Sequence, residues 1–181
     1  MRIIGIDQSS SATGVSLFVD GKLADYTLIK PKSSKKAESV AVDYAPHLTA
    51  ITMPEADYGL TLLRISAIVD EIEKILITTS PDVVYFEEIF NASNIAGFRS
   101  LARLQGFIAH TCWKLGIRYV IVEENKWINS IATYGRDVKR PERKADIMRR
   151  MNDLYGLDIN VDDVSDAIAI GTYALKAEKE K

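Results

Sequence analysis

The sequence predicts an α/β fold, a five-stranded mixed sheet flanked by helices on both faces. Three observations lead there. Two apolar stretches near the N-terminus meet at Asp20-Gly21, a tight-hairpin signal because such turns need positive φ. A later run, VVYF, is short, continuous and β-branched or aromatic, as strands buried on both faces are, and IRYVIVEE makes another strand. Between and after them, apolar residues recur at helical spacing. Strands that alternate with helices need crossover connections, so part of the sheet is parallel.

Taken in order, RIIGID forms the first strand and ends in Asp7, TGVSLFV the second, and KLADYTLI the third, returning through the hairpin. Residues 31–53, including PKSSKKAES, read as a polar, basic loop. Pro54 suits the first turn of a helix, which carries Leu60, Leu63, Ile65, Ile68, Val69, Ile72 and Ile75 and stops before Ser80-Pro81. PDVVYFEEIF supplies the fourth strand. Asn91 and Ser93 are candidate caps for a helix over 94–115, which Gly116 ends. IRYVIVEE is the fifth strand, followed by a short helix over 125–131. A basic loop starts at Tyr134-Gly135, Pro141 opens a helix to about Leu154, and Asn160 caps a last helix to about residue 177. With neither a linker nor an internal repeat, one domain is expected over 1–181.

Composition narrows the function classes. The chain has 181 residues, 47% hydrophobic and 27% charged, which is ordinary globular usage. A domain of this size buries roughly 70% of its unfolded surface and needs no disulfide or zinc staple. One cysteine, Cys112, and two histidines, His47 and His110, exclude a disulfide scaffold and a Cys- or His-rich metal site. No apolar run approaches the ~20 residues of a membrane span, and MRIIGID, with a charge at Asp7, is not expected to be a signal peptide. A cytoplasmic protein is the expectation. The net charge is −2, but the charges are unevenly spread. Residues 89–122 contain no acid, and residues 136–150 carry seven basic side chains, namely Arg136, Lys139, Arg140, Arg143, Lys144, Arg149 and Arg150. Such stretches suit a polyanionic partner.

The chemically informative feature is where the acids fall. Asp7 ends an apolar strand, Glu87 and Glu88 follow another, and Asp163 and Asp166 lie within the apolar-patterned final helix. A carboxylate buried without a partner costs several kcal/mol, and no Arg or Lys adjoins any of these in sequence. Spacing alone leaves two choices open. Asp163 and Asp166 share a helix face, but so do Asp162 and Asp166, and strand alternation does not choose between Glu87 and Glu88. If the acids converge, carboxylates without His or Cys make a hard oxygen site suited to Mg²⁺ or Mn²⁺. Two such ions would support phosphodiester hydrolysis, with Lys126 or Lys144 neutralising the scissile phosphate.

GIDQSSSATG, VYFEEIFNASNIAGFRSLARLQG and DVSDAIAIG, in this order and spacing, resemble the RuvC-type Holliday-junction resolvases of the ribonuclease H-like superfamily, the phage-encoded branch above all. The resemblance implies a ribonuclease H-like fold, a homodimer and paired nicks across four-way DNA junctions. Carried residue by residue, it implies Asp7, Glu87, Asp163 and Asp166 as ligands to two Mg²⁺ ions (or Mn²⁺). It implies Phe90 as an aromatic near the junction centre, and Lys126 and Lys144 as basic residues near the scissile phosphate. Arg136, Lys139, Arg140 and Arg143 of the basic stretch join them as expected DNA contacts, and the helix over 94–115 as the dimer interface, with His110 and Cys112 packing within it. One departure stands out: Gln8-Ser9 occupies the place where the family usually has Pro-Gly. Two rival readings are a non-catalytic branched-DNA-binding module on the same fold and an actin-type ATP-binding protein. The ATP-binding reading lacks an obvious second glycine-rich phosphate loop.

Overall fold

Why the acids meet follows from how the strands pair. In a computed structural model, described over residues 1–35, 48–90, 94–135 and 137–181, the strands form one mixed sheet. Strand β1 (Arg2–Asp7) lies between β2 (Thr13–Val19) and β5 (Val83–Glu87). It is antiparallel to β2 and parallel to β5. Outside these lie β3 (Lys22–Ser33), antiparallel to β2, and β6 (Arg118–Val122), parallel to β5. Asp20 and Gly21 both adopt positive φ, 49° and 83°, as the β2–β3 hairpin requires.

The sheet has six strands rather than five. The additional strand, β4 (Leu48–Met53), pairs in parallel with β3 at the sheet edge, in a stretch expected to be loop. Strand β3 outruns β2 beyond Ile29, so among the described residues its last positions pair with β4 alone. Pro31, which has no N–H to donate, is tolerated in such a position.

The helices follow the sequence with two adjustments. Pro54 is the N-cap of a short α1 (Glu55–Tyr58), and the chain turns at Gly59-Leu60 before α2 (Thr61–Thr79), so the expected single helix is two. Asn94 caps α3 (Ile95–Lys114), its side chain accepting from the Gly97 N–H at 3.1 Å. The expected caps Asn91 and Ser93 lie outside the described residues. Helix α4 (Glu124–Ile131) follows β6, and α5 (Arg140–Tyr155) has Pro141 in its first turn. The last helix, α6 (Asp162–Lys179), starts from Val161 rather than from an Asn160 cap.

Alternation along β1 and β5 sorts the core into two layers. Ile4, Ile6, Val84 and Phe86 pack with Ile65, Ile68, Ile72 and Leu76 of α2 and with Leu104, Ile108 and Cys112 of α3. Ile3, Val83 and Tyr85 pack on the other side with Ile168, Ala169 and Ile170 of α6, together with Trp127, Ile147 and Met151 of α4 and α5. Side chains two apart share a face, so Asp7 and Glu87 continue the second set, toward α6. Glu87, rather than Glu88, thus continues the face of β5 that packs on α6.

Helix α6 approaches the sheet so closely that two glycines are required. A Cβ on Gly14 would lie 1.9 Å from the Asp163 carbonyl oxygen, and one on Gly5 would lie 2.5 Å from that of Ala167. The Ser16 hydroxyl closes the seam, donating to the Ala167 carbonyl at 2.7 Å. Among the described residues no helix is long and apolar enough to cross a membrane.

Candidate active site

The site is built at the C-terminal ends of β1 and β5, where open α/β sheets place ligands. The parallel ladder ends at Ile6 opposite Phe86. Asp7 and Glu87 come one residue later, on adjoining strands about 4.8 Å apart. Beyond that point a side chain replaces the ladder. The Gln8 amide donates to the Glu87 carbonyl at 2.6 Å and accepts from the Glu87 N–H at 3.2 Å. Gln105 of α3 donates to the same carbonyl at 2.9 Å. Gln8 thus clasps the two acid-bearing strand ends, and neither Gln8 nor Ser9 has positive φ, so the turn needs no glycine there.

The first turns of α6 bring Asp166 over these strand ends. Asp7, Glu87 and Asp166 line one cleft with Glu124, Trp127, Arg140, Arg143 and Lys144. Its space of about 40 Å³ exceeds the roughly 10–15 Å³ that one water needs. Asp163 is not among the lining residues, though its charge still acts on Asp7. A larger groove, about 240 Å³, lies between β2, β3 and α2 and is lined mainly by residues such as Val15, Leu17, Ile75 and Thr78; it gathers no cluster of acids.

The carboxylates resist ionisation together. Burial, then the charges of Asp166, Glu87 and Asp163, push the Asp7 pKa well above the ordinary range. Burial, then the Glu124 charge, raises Glu87 to about 7, against a 3.4 Å hydrogen bond from the Trp127 indole. Asp166 is also raised, by burial and by Asp162 and Asp163, with Lys144 opposing. Asp163 is raised by burial and by Asp162. Burial works against the Lys144 ammonium, but its bond to Asp162 and the charges of Asp166, Asp162 and Asp7 outweigh that and raise its pKa.

Donor chemistry tests whether a divalent ion fits. Asp166 is 5% exposed, and its Oδ1 is buried without a hydrogen-bond partner. Glu87 has one long bond from Trp127. Oxygen donors left this poorly satisfied in a cleft with water-sized space suit a hard cation. Among the described residues, however, no three His, Cys, Asp or Glu side chains are already gathered into a metal cage. Instead the Lys144 Nζ stands 2.5 Å from Asp162 Oδ2 and 3.7 Å from Asp166 Oδ2.

The other expected residues divide. Arg140 and Arg143 line the cleft, and the buried Nε of Arg143 has no partner. Lys139 precedes α5, its backbone N–H held by Glu142 at 3.2 Å. Lys126 lies outside the cleft lining on α4, exposed and 3.2 Å from Glu123. Phe90 is 56% exposed. Cys112 is buried, whereas His110 is exposed beside Trp113. Arg136 and His47 lie outside the described residues. The sequence gives no sign of Gln8, Gln105 or Trp127 at the cleft, and offers Asp162 only as the alternative to Asp163. Only their long-range pairing marks them.

No family model matches the chain. It is 26% identical over 172 residues to the crossover junction endodeoxyribonuclease RuvC of Caldicellulosiruptor saccharolyticus, an alignment that covers 94% of this chain and 89% of that one. Its fold is similar to that of T. thermophilus RuvC in complex with Holliday junction substrate, with a TM-score of 0.69 at 16% identity, covering 99% of this chain and 96% of that one. The Fowlpox virus resolvase, solved with Holliday junction DNA, aligns with a TM-score of 0.56 at 11% identity over 98% and 99% of the two chains. In sequence and in fold alike, the chain is similar to the RuvC-type resolvases on a ribonuclease H-like scaffold, as its motifs implied.

Proposed function

We propose that this chain is a metal-dependent, structure-selective endodeoxyribonuclease that cleaves Holliday junctions and related branched DNA by paired nicks on opposed strands. One observation carries the reading: Asp7 and Glu87, at two parallel strand ends, share a cleft with Asp166 of α6, whose Oδ1 is buried without a partner, and with Arg140 and Arg143. Acids and guanidinium groups side by side suit a phosphodiester with hard cations. Asp7, Glu87 and Asp166, with Asp163 closing in from the start of α6, would hold two Mg²⁺ (or Mn²⁺) ions, which supply water activation and leaving-oxygen stabilisation when bound.

The chain's own groups do the rest. The Arg143 Nε, buried and without a partner, is a donor for a phosphate oxygen. Arg140 and Lys139 extend the basic edge along the DNA backbone, Lys126 adds charge from α4, and Arg136 is a further DNA contact proposed from the sequence alone. Phe90, exposed just past β5, offers a ring for stacking at the branch point. Lys144 is the cation nearest the acids and the candidate for the scissile phosphate.

The homodimer is part of the proposal. Ile95, Phe107 and Trp113 of α3 are exposed, at 61%, 44% and 71%, beside exposed Tyr119 and Ile121 of edge strand β6. Two-fold pairing through this face would set two sites on opposed strands, and the cuts would be paired.

The test is a synthetic four-way junction labelled on each strand in turn, incubated with and without Mg²⁺. Symmetric nicks that need Mg²⁺ are expected, with binding that weakens steeply as salt rises. Junction binding in EDTA without cleavage after Mg²⁺ addition would establish the binding-module reading instead.

A further inference from the structure

Lys144 has two partners at unequal range. Its ammonium makes a hydrogen-bonded ion pair with Asp162 at 2.5 Å and a looser one with Asp166 at 3.7 Å, beyond hydrogen-bond distance. Asp162 is 45% exposed at its side chain, Asp166 8%. The lysine therefore lowers the charge density of the cleft without capping its most buried carboxylate, whose Oδ1 stays open.

We propose that Asp162 is a positioning residue that berths the Lys144 ammonium beside the acid cleft, where it serves as a built-in counter-ion and competes with divalent metal for Asp166. This rests on the metal-site reading above. The physical logic is a choice between cations. An ammonium close to Asp166 offsets part of the carboxylate repulsion in the metal-free chain, and the same charge opposes an incoming divalent ion. By holding the lysine at its outer side, Asp162 keeps that opposition moderate and leaves Oδ1 available. With Asp166 occupied by a metal ion, Asp162 at the exposed side of the cleft would be the partner that keeps the lysine in reach of a phosphate.

Calorimetric titration of Mg²⁺ and Mn²⁺ into DNA-free protein tests this without reference to cleavage. Lys144→Met is expected to bind metal about tenfold more tightly, within the usual range of pairwise coupling, with Lys144→Gln as a second variant should the first fold poorly. Lys144→Arg, which keeps the charge, should retain near-native affinity. Asp162→Asn should weaken metal binding several-fold, because the freed ammonium settles on Asp166. In the Lys144→Met background the same Asp162 change should do little. Circular dichroism would establish that each variant is folded. Unchanged or weaker binding in both Lys144→Met and Lys144→Gln overturns the proposal. So does an equal effect of Asp162→Asn in the two backgrounds, which would make Asp162 a ligand or a bulk charge. Asp7→Asn separates the two ideas. If the native chain binds metal and Asp7→Asn loses it, the metal-site reading stands whatever the berth does. If the native chain binds none, or Asp7→Asn binds as well, that reading fails and takes the berth with it.

Discussion

Two glutamates at opposite ends of the β5 layer are treated in opposite ways. Glu178, near the end of α6, has a side chain only 7% exposed, yet it accepts from the Tyr85 hydroxyl at 2.6 Å, Arg118 at 2.6 Å and Lys181 at 2.7 Å. The Arg118 bond leads in holding its pKa down at about 2. Glu87, at the end of β5 itself, has a 3.4 Å bond from Trp127 and anionic neighbours, and burial pushes it up to about 7. The carboxylate that braces the fold is saturated with donors, whereas the one at the cleft has a single long bond. The difference separates a structural acid from a candidate site acid on geometry alone.

The comparison is broken most severely at Asp7. Asp7→Asn should leave junction binding intact, because the basic edge of α5 is untouched, while cleavage falls by about 10³-fold or more, equivalent to the several kcal/mol that metal-held charge supplies. Gel-shift and strand-resolved cleavage assays on one preparation measure both. Native-rate nicking by the variant would remove Asp7 from the site.

The pH dependence of stability sharpens the contrast, since the two glutamates act in separate windows with opposite sign. Glu87 retains its proton to about 7 when folded but only to about 4.5 when unfolded. The folded chain therefore binds more protons in that window, and stability falls as pH rises through it, by about 3 kcal/mol at most for this group. Glu178 has the depressed value. Its contribution is in place above 4.5 and is lost as pH falls toward about 2. Denaturant melts of metal-free protein from pH 4.5 to 7.5 should show a falling slope, which Glu87→Gln should reduce by this group's share, Asp7 and Asp166 acting in the same direction.

Glu178→Gln should cost about 1–3 kcal/mol in a melt, the scale of hydrogen bonds to a charged group, with cleavage little changed. The smallest effect is expected at the neighbour of Glu87. Glu88 accepts from the Ile89 N–H and from Gln105 rather than lining the cleft. Glu88→Gln should be mild in cleavage assays against a large loss for Glu87→Gln, and the reverse order would exchange their roles.

Much of this architecture was legible before any coordinates. The apolar runs of β1, β5 and β6 and the Asp20-Gly21 turn carry their structure locally, through period and positive φ. Strand β4 does not, because LTAITM becomes a strand by pairing with the overhanging end of β3, a non-local event. The break at Gly59-Leu60 was likewise hidden inside a continuous helical pattern. Acids inside apolar runs were conspicuous for their desolvation cost, but their mutual placement needed the sheet. Which of Glu87 and Glu88 faces α6 depends on register, and the Lys144–Asp162 pair joins two helices. Gln8 has no local signal, since a glutamine after a strand is ordinary until its amide is seen to extend the ladder.

The bare backbone surfaces at Gly5 and Gly14 have a consequence for how such a protein can diversify. With no space between strand and helix, any added atom there would lever the last helix away from the sheet and spread the acids it carries. Change is therefore expected to be tolerated away from this seam, where an added atom does not meet the backbone of the last helix.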